Sequence, residues 1–277
     1  MRVGYLQTDP VFGDKDKNFQ QVTQLVEGSG LKADLLVLPE LFATGYTFSS
    51  RLEVHEYGEL PGEVTTEFLS RLSRKTGAVV AAGFIEVECE QAYNAAMLVD
   101  GGRVVGVYRK IHLFNKEKKW FTPGDKPFAV HAVRGAMVGV MICFDWMFPE
   151  AVRSLALLGA DVIAHPANLV LPYCQKAMVT RCLENRVFAV TANRIGTEIR
   201  GDDKFTFTGG SQITAFNGDV LSTAPVDRMH VSVIDIDFHA ARDKKVNEYN
   251  DVISDRRPGL YRLGKKMNSF PTKDLLE

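Results

Sequence analysis

Along the chain, short apolar runs with a strand-like rhythm alternate with stretches whose apolar positions recur at helical spacing. Arg2 to Gln7 and Asp34 to Leu38 predict strands, and the stretch from about Lys15 to Gly28 between them predicts an amphipathic helix, so the chain opens as a βαβ unit. A second helix is expected after Pro61-Gly62, where Val64, Phe68 and Leu72 share one face. Strands are then predicted at Ala78 to Glu86, Ala95 to Val99 and Val104 to Tyr108, the last two joined by a hairpin at Gly101-Gly102. Beyond them, Ala136 to Ile142, Asp161 to Ala164 and Val187 to Ala192 read as strands, separated by helices at Pro149 to Leu158 and Lys176 to Asn185. The last third reads as a meander of Ser211 to Ala215, Val220 to Ser222 and His230 to Ile236, with a turn at Asn217-Gly218, and the sum is a mixed sheet.

No linker rich in Pro, Gly or Ser divides this pattern, so one domain over residues 1–277 is expected, ending in a basic arm from about Asp251 that carries Arg256-Arg257-Pro258-Gly259. Composition narrows the class. Apolar residues make up 45% and charged residues 24%, as in a globular protein with a substantial core. The 33 basic and 34 acidic side chains nearly cancel, leaving no bulk field that favours nucleic acid or anionic lipid. No apolar run reaches the roughly 20 residues that span a bilayer, and the amino-terminal run turns polar at Asp9-Pro10, too early for a signal peptide. The cysteines, Cys89, Cys143, Cys174 and Cys182, form no Cys-x-x-Cys pair, so reduced thiols in a cytoplasmic protein are expected.

Three charged or nucleophilic residues stand where apolar strands end. Cys143 closes the run Met137 to Ile142 and precedes a helix that Pro149 and Glu150 open, a strand-to-helix junction at which a thiolate can be favoured. A solitary cysteine in apolar company more often packs inertly, so its neighbours decide. Glu40 ends Asp34 to Pro39; beyond the carboxyl end of a strand an acid can enter a site, and apolar surroundings would tune it as a general base. Lys110 ends Val104 to Arg109, and an ammonium there could support the thiol's ionisation and then an oxyanion.

Leu38-Pro39-Glu40, Arg109-Lys110-Ile111-His112-Leu113-Phe114 and Ile142-Cys143-Phe144-Asp145 with Phe148-Pro149-Glu150 resemble, in order, the signature segments of the nitrilase/amidase superfamily of carbon-nitrogen hydrolases. The likeness continues through Leu158 to Asp161, His165 to Asn168, Arg181 to Arg186, Ala192 to Arg194 and Gly209 to Ser211. It implies an α/β fold, a four-layer αββα sandwich of two mixed sheets, that pairs into a homodimer or a larger homo-oligomer. It also implies a Glu40, Lys110 and Cys143 triad, with Glu117 as the second glutamate that many members carry; Glu117 otherwise reads as part of a solvated charged loop. In that chemistry Glu40 takes the thiol proton, Lys110 and the Phe144 N–H receive the oxyanion, and a thioester forms and is hydrolysed without metal or organic cofactor. Tyr46, Phe144, Trp146 and Asn168 are the candidate substrate-binding residues, the aromatic ones as pocket walls.

The partner is then a small molecule, an amide or carbamoyl amine by preference, because Cys143-Phe144-Asp145-Trp146 departs from the Cys-Trp-Glu of strict nitrilases; a small aliphatic nitrile is the alternative. Other readings are a Cys-His hydrolase using His112 or His165, which needs a ring within reach of the Cys143 thiol, and a non-catalytic dimeric binding relative. Cys174 and Cys182 lack the histidine pattern of a zinc site.

Overall fold

The computed structural model describes residues 1–261. In chain order its elements are β1 (Arg2–Gln7), α1 (Lys15–Ser29), β2 (Leu35–Val37), α2 (Arg51–Tyr57), α3 (Val64–Thr76), β3 (Val79–Glu88), β4 (Gln91–Asp100) and β5 (Arg103–Arg109). There follow α4 (Glu117–Trp120), β6 (Val130–Val133), β7 (Ala136–Val140), α5 (Pro149–Leu157), β8 (Val162–Pro166), α6 (Cys174–Asn185) and β9 (Phe188–Ala192). The last are β10 (Thr197–Arg200), β11 (Asp203–Thr206), β12 (Gln212–Thr214), β13 (Val220–Thr223) and β14 (His230–Asp235).

Two six-stranded sheets result, ordered β14-β1-β2-β3-β4-β5 and β6-β7-β8-β9-β12-β13. Read in those directions, both run antiparallel, parallel, parallel, antiparallel, antiparallel, so one architecture is built twice. The two-residue period of β2 sets the layers: Leu35 and Val37 face the second sheet, whereas Leu36 and Leu38 face α1 and α3 with Phe19, Val22 and Phe68. Helices α5 and α6 cover the second sheet from outside through Val152, Leu155, Met178 and Cys182, completing four αββα layers. Local chemistry fixes the helix ends. Asp14 accepts from Lys17 N–H at the start of α1, and Gly30 closes it in the left-handed region at φ 60°.

The predicted elements are present, with ends shifted by a few residues, but the rhythm did not reveal α2, α4, β6 or the separate β10–β11 hairpin. For α2 a signal existed, since Ser50 accepts from Glu53 N–H while Glu53 accepts from Ser49 N–H. Residues 251–261 include the exposed Arg257 and Pro258 and lie outside the core, and the remainder of the proposed arm lies outside the described residues. Among the described residues no helix is long and apolar enough to cross a membrane.

Leu155 is fully buried and fills the space that a side chain at Gly139 would need, with its Cδ2 only 2.8 Å from an ideal Cβ there. Leu155→Ala should therefore cost about 2–5 kcal/mol, read as a lower urea midpoint at unchanged slope. Leu52→Ala, at a residue 80% exposed on α2, should stay within about 0.5 kcal/mol of the parent.

Candidate active site

Glu40 is held just past the end of β2. Leu38 N–H donates to Ala81 O at 2.8 Å and Gly83 N–H to Pro39 O at 3.2 Å, so pairing with β3 continues beyond the strand. The approach requires glycine: a Cβ at Gly83 would stand 2.6 Å from Glu40 Cα and 2.5 Å from Leu41 N. Leu41 itself adopts φ 46°, a left-handed conformation that costs a non-glycine residue on the order of 1–3 kcal/mol. The turn aims the fully buried Glu40 carboxylate at Lys110.

Lys110 follows β5 and is equally buried, its backbone N–H fixed to Asn94 O at 2.8 Å. Its Nζ donates to Glu40 Oε1 at 2.6 Å and Glu117 Oε1 at 2.9 Å. Burial alone would lower the lysine pKa, but Glu117 and Glu40 outweigh it and hold Lys110 protonated, above its ordinary value. Glu117 is buried rather than part of a solvated loop; its Oε1 also accepts from Tyr46 OH at 2.6 Å and its Oε2 from Phe114 N–H at 3.1 Å. Burial nevertheless raises its carboxyl pKa, against the opposing pull of Lys110. Asn94 Nδ2 donates to Glu40 Oε1 at 2.7 Å, which leaves Glu40 Oε2 buried with no hydrogen-bond partner among the described residues.

Cys143 opens a 3₁₀ turn, Cys143–Met147, at φ 42°. Asp145 anchors this turn to the lysine segment: its Oδ2 accepts from Ile142 N–H at 2.8 Å and Tyr108 OH at 2.7 Å, and its Oδ1 from His112 Nδ1 at 2.7 Å. A strand-to-helix junction can favour a thiolate, but the surroundings here favour the thiol. Cys143 lies six residues before α5 starts at Pro149, not at its amino terminus. Burial pushes the thiol pKa well above its usual value, and Glu40 adds to this more than Lys110 relieves. The thiol donates instead to Asn168 O, with Sγ at 3.7 Å.

Neither histidine is the partner that a Cys-His hydrolase needs. His165 Nε2 donates to the Cys143 carbonyl at 3.1 Å, not to sulfur, and Nδ1 accepts from Thr191 Oγ1 at 3.0 Å. Burial lowers its pKa to about 4, so the ring is neutral and serves as a prop for the strained turn. His112 is turned to Asp145 and stacks on Phe148.

A small cleft of about 220 Å³ opens over Cys143, lined by Phe114, Phe144, Trp146, Asn168, Leu169, Val170 and Leu171. Three of the sequence-derived pocket residues are thus together, and the Asn168 side-chain amide is buried with neither polar atom paired among the described residues. Tyr46 has another place. It lines a separate hollow of about 300 Å³ with Phe205 and Trp120, and its hydroxyl serves Glu117. Sequence reasoning missed Asn94, whose only signal was a polar residue inside the apolar strand β4. Among the described residues no group of three or more His, Cys, Asp or Glu side chains is placed to hold a metal ion.

An acid, an ammonium and a thiol thus lie near one another where strands of the two stacked sheets end. The carbon-nitrogen hydrolase family profile matches residues 2–245, and the chain belongs to that family. It is 47% identical over 263 residues to a nitrilase of Pyrococcus abyssi (94% of this chain, 99% of that one). It is 34% identical over 262 residues to an (R)-stereoselective amidase of a Pseudomonas species (93% and 92%). The solved amidase of Nesterenkonia sp. superposes with a TM-score of 0.74 at 26% identity, covering 88% of this chain and 93% of that one. In a mutant of that amidase, acrylamide has added to the active-site cysteine.

Gly83→Ala should force β3 away from Glu40 and, if Glu40 acts in turnover, lower it at least about tenfold, because a misplacement on the order of 1 Å spoils a positioned group. Steady-state kinetics beside a circular-dichroism check of folding measures this; unchanged turnover would show that the close approach is dispensable.

Proposed function

We propose that the chain hydrolyses small uncharged amides through a thioester on Cys143, with Glu40 as general base and acid. The observation that carries this reading is the division of labour at Glu40, whose Oε1 is committed to Lys110 and Asn94 while Oε2 is buried and free to take a proton. Glu40 accepts the Sγ proton as sulfur attacks the carbonyl carbon, and the C=O electron pair moves onto oxygen. Lys110 Nζ has three N–H bonds, two of them used by Glu40 and Glu117, so one remains for the oxyanion beside the Phe144 N–H. The C–N bond then breaks, the nitrogen leaving with the proton from Glu40. Water next gives a proton to Glu40 and attacks the thioester, and sulfur departs and is reprotonated. Glu117 and Tyr46 hold the ammonium in place throughout.

The cleft selects the acyl group. None of its lining residues carries a side-chain cation, so an uncharged aliphatic or aromatic group fits better than the carboxylate of a carbamoyl amino acid. The buried Asn168 amide offers a donor and an acceptor to orient a polar substrate. A second reading, small nitriles through a thioimidate on the same sulfur, is favoured by the 47% identity to the Pyrococcus abyssi nitrilase.

The test is ammonia and carboxylate release from matched panels of aliphatic amides, carbamoyl amines and nitriles, for the parent, Cys143→Ala and Glu40→Gln. Amide turnover abolished by Cys143→Ala and reduced about 10²- to 10⁴-fold by Glu40→Gln is expected. Turnover confined to nitriles would replace the first reading by the second, and an active Cys143→Ala would sink both.

A further inference from the structure

The hairpin of β10 and β11 belongs to neither large sheet, yet it grips the loop that carries Tyr46. Glu198, on β10 and 6% exposed, accepts from Tyr46 N–H at 3.1 Å, Thr47 N–H at 2.8 Å and Thr47 Oγ1 at 2.7 Å. Arg194, 1% exposed, pairs with the same carboxylate, donates to Pro10 O at 3.0 Å and lies over the Phe207 ring. The loop is drawn close enough that a Cβ on Gly45, at φ 79°, would stand 2.9 Å from Glu198 Oε1. Phe205 and Phe207 meet the Tyr46 ring edge-on at 5.8 and 6.0 Å, leaving its hydroxyl one direction, toward Glu117.

We propose that Glu198 is a positioning residue for hydrolysis: held by Arg194, it fixes the Tyr46 loop so that the Tyr46 hydroxyl keeps Glu117 ionised and oriented on Lys110. The proposal rests on the hydrolase reading above. It also assigns a use to a buried ion pair whose residues do not line the cleft, and which the reaction scheme otherwise leaves idle. Burial raises the Tyr46 pKa well above its usual value, so the hydroxyl stays a donor across the working range. The titratable groups facing Glu117 are Lys110, Tyr46, Cys143 and, across the lysine, Glu40; the Tyr46 bond favours the carboxylate against the effect of burial. The sign follows. Weakening that bond destabilises ionised Glu117, raises its pKa and moves the acidic limb of the rate profile to higher pH.

The experiment is kcat/KM against pH, on the best substrate of the panels, for the parent, Tyr46→Phe, Glu198→Gln and the double variant. A hydrogen bond to a charged group predicts a loss of about tenfold and a limb shift of about one pH unit for Tyr46→Phe. Glu198→Gln should move the limb in the same direction, and the double variant should match Tyr46→Phe within about twofold, because both act through one contact. Thr47→Val removes a single bond to Glu198 and should give a smaller shift of the same sign, which keeps the test open if Glu198→Gln does not fold. Additive losses in the double variant, or Glu198→Gln and Thr47→Val that lower Tm while the limb stays in place, would overturn the proposal. A limb unmoved by Tyr46→Phe would do the same. An active Cys143→Ala on the same substrate would instead overturn the underlying hydrolase reading.

Discussion

Lys110 Nζ has no exposure to water, and removing an ammonium from water costs several kcal/mol even after the protein relaxes. Much of the surrounding structure can be read as the answer to that cost. Glu40 and Glu117 come from different parts of the chain to the same nitrogen, and each is held from behind, Glu40 by Asn94 and Glu117 by Tyr46 and Phe114 N–H. Burial is the main reason that the neighbouring thiol pKa is raised, and two carboxylates around one ammonium leave a net negative charge that adds to it despite the lysine. In the proposed reaction the base acts during the attack, and the unclaimed Glu40 oxygen is the group assigned to it.

The duplicated sheet pattern explains how these groups meet. In each sheet the third strand counted from β14 or β6 is the centre of the parallel trio: β2, which leads to Glu40, and β8, which leads to Asn168. Ligands of open α/β sheets gather beyond the carboxyl ends of such strands, and stacking the sheets brings two such ends together. The turns there are strained. Leu41 and Cys143 both hold positive φ, and the surroundings over-determine both, through Gly83 in one case and Asp145 with His165 in the other.

What could be read from the sequence follows from where the chemistry sits. Glu40 and Cys143 each end a buried apolar run, and Lys110 follows Arg109 at the end of a half-buried one, so the period that reveals the strand also points to the odd residue at its end. Glu117 is one charge among Lys116, Lys118 and Lys119, so its rhythm reads as a solvated loop; the family resemblance pointed to it, and the fold shows it buried while Lys118 and Lys119 are exposed. Asp145 was visible as part of the nucleophile string, but its work, joining Tyr108 and His112 to Ile142, is a contact across more than thirty residues that no local rhythm encodes. Glu198 was hidden for a related reason. The β10–β11 hairpin has four-residue strands that are half exposed, so its pattern resembles an irregular loop, and Tyr46 and Thr47, which Glu198 holds, lie about 150 residues earlier.

The charge balance of the interior also constrains what the proposed enzyme can accept. A substrate carboxylate entering the cleft would meet uncharged walls and, beyond them, two carboxylates sharing one ammonium. In a desolvated site that repulsion acts at a low effective dielectric, where like charges a few ångströms apart cost several kcal/mol. An amide or a nitrile carries no such charge, and its carbonyl oxygen or nitrile nitrogen gains negative charge only as sulfur attacks the carbon. The one remaining Lys110 N–H therefore meets developing rather than resident charge, which is the condition under which a fixed donor accelerates a reaction instead of merely binding its substrate.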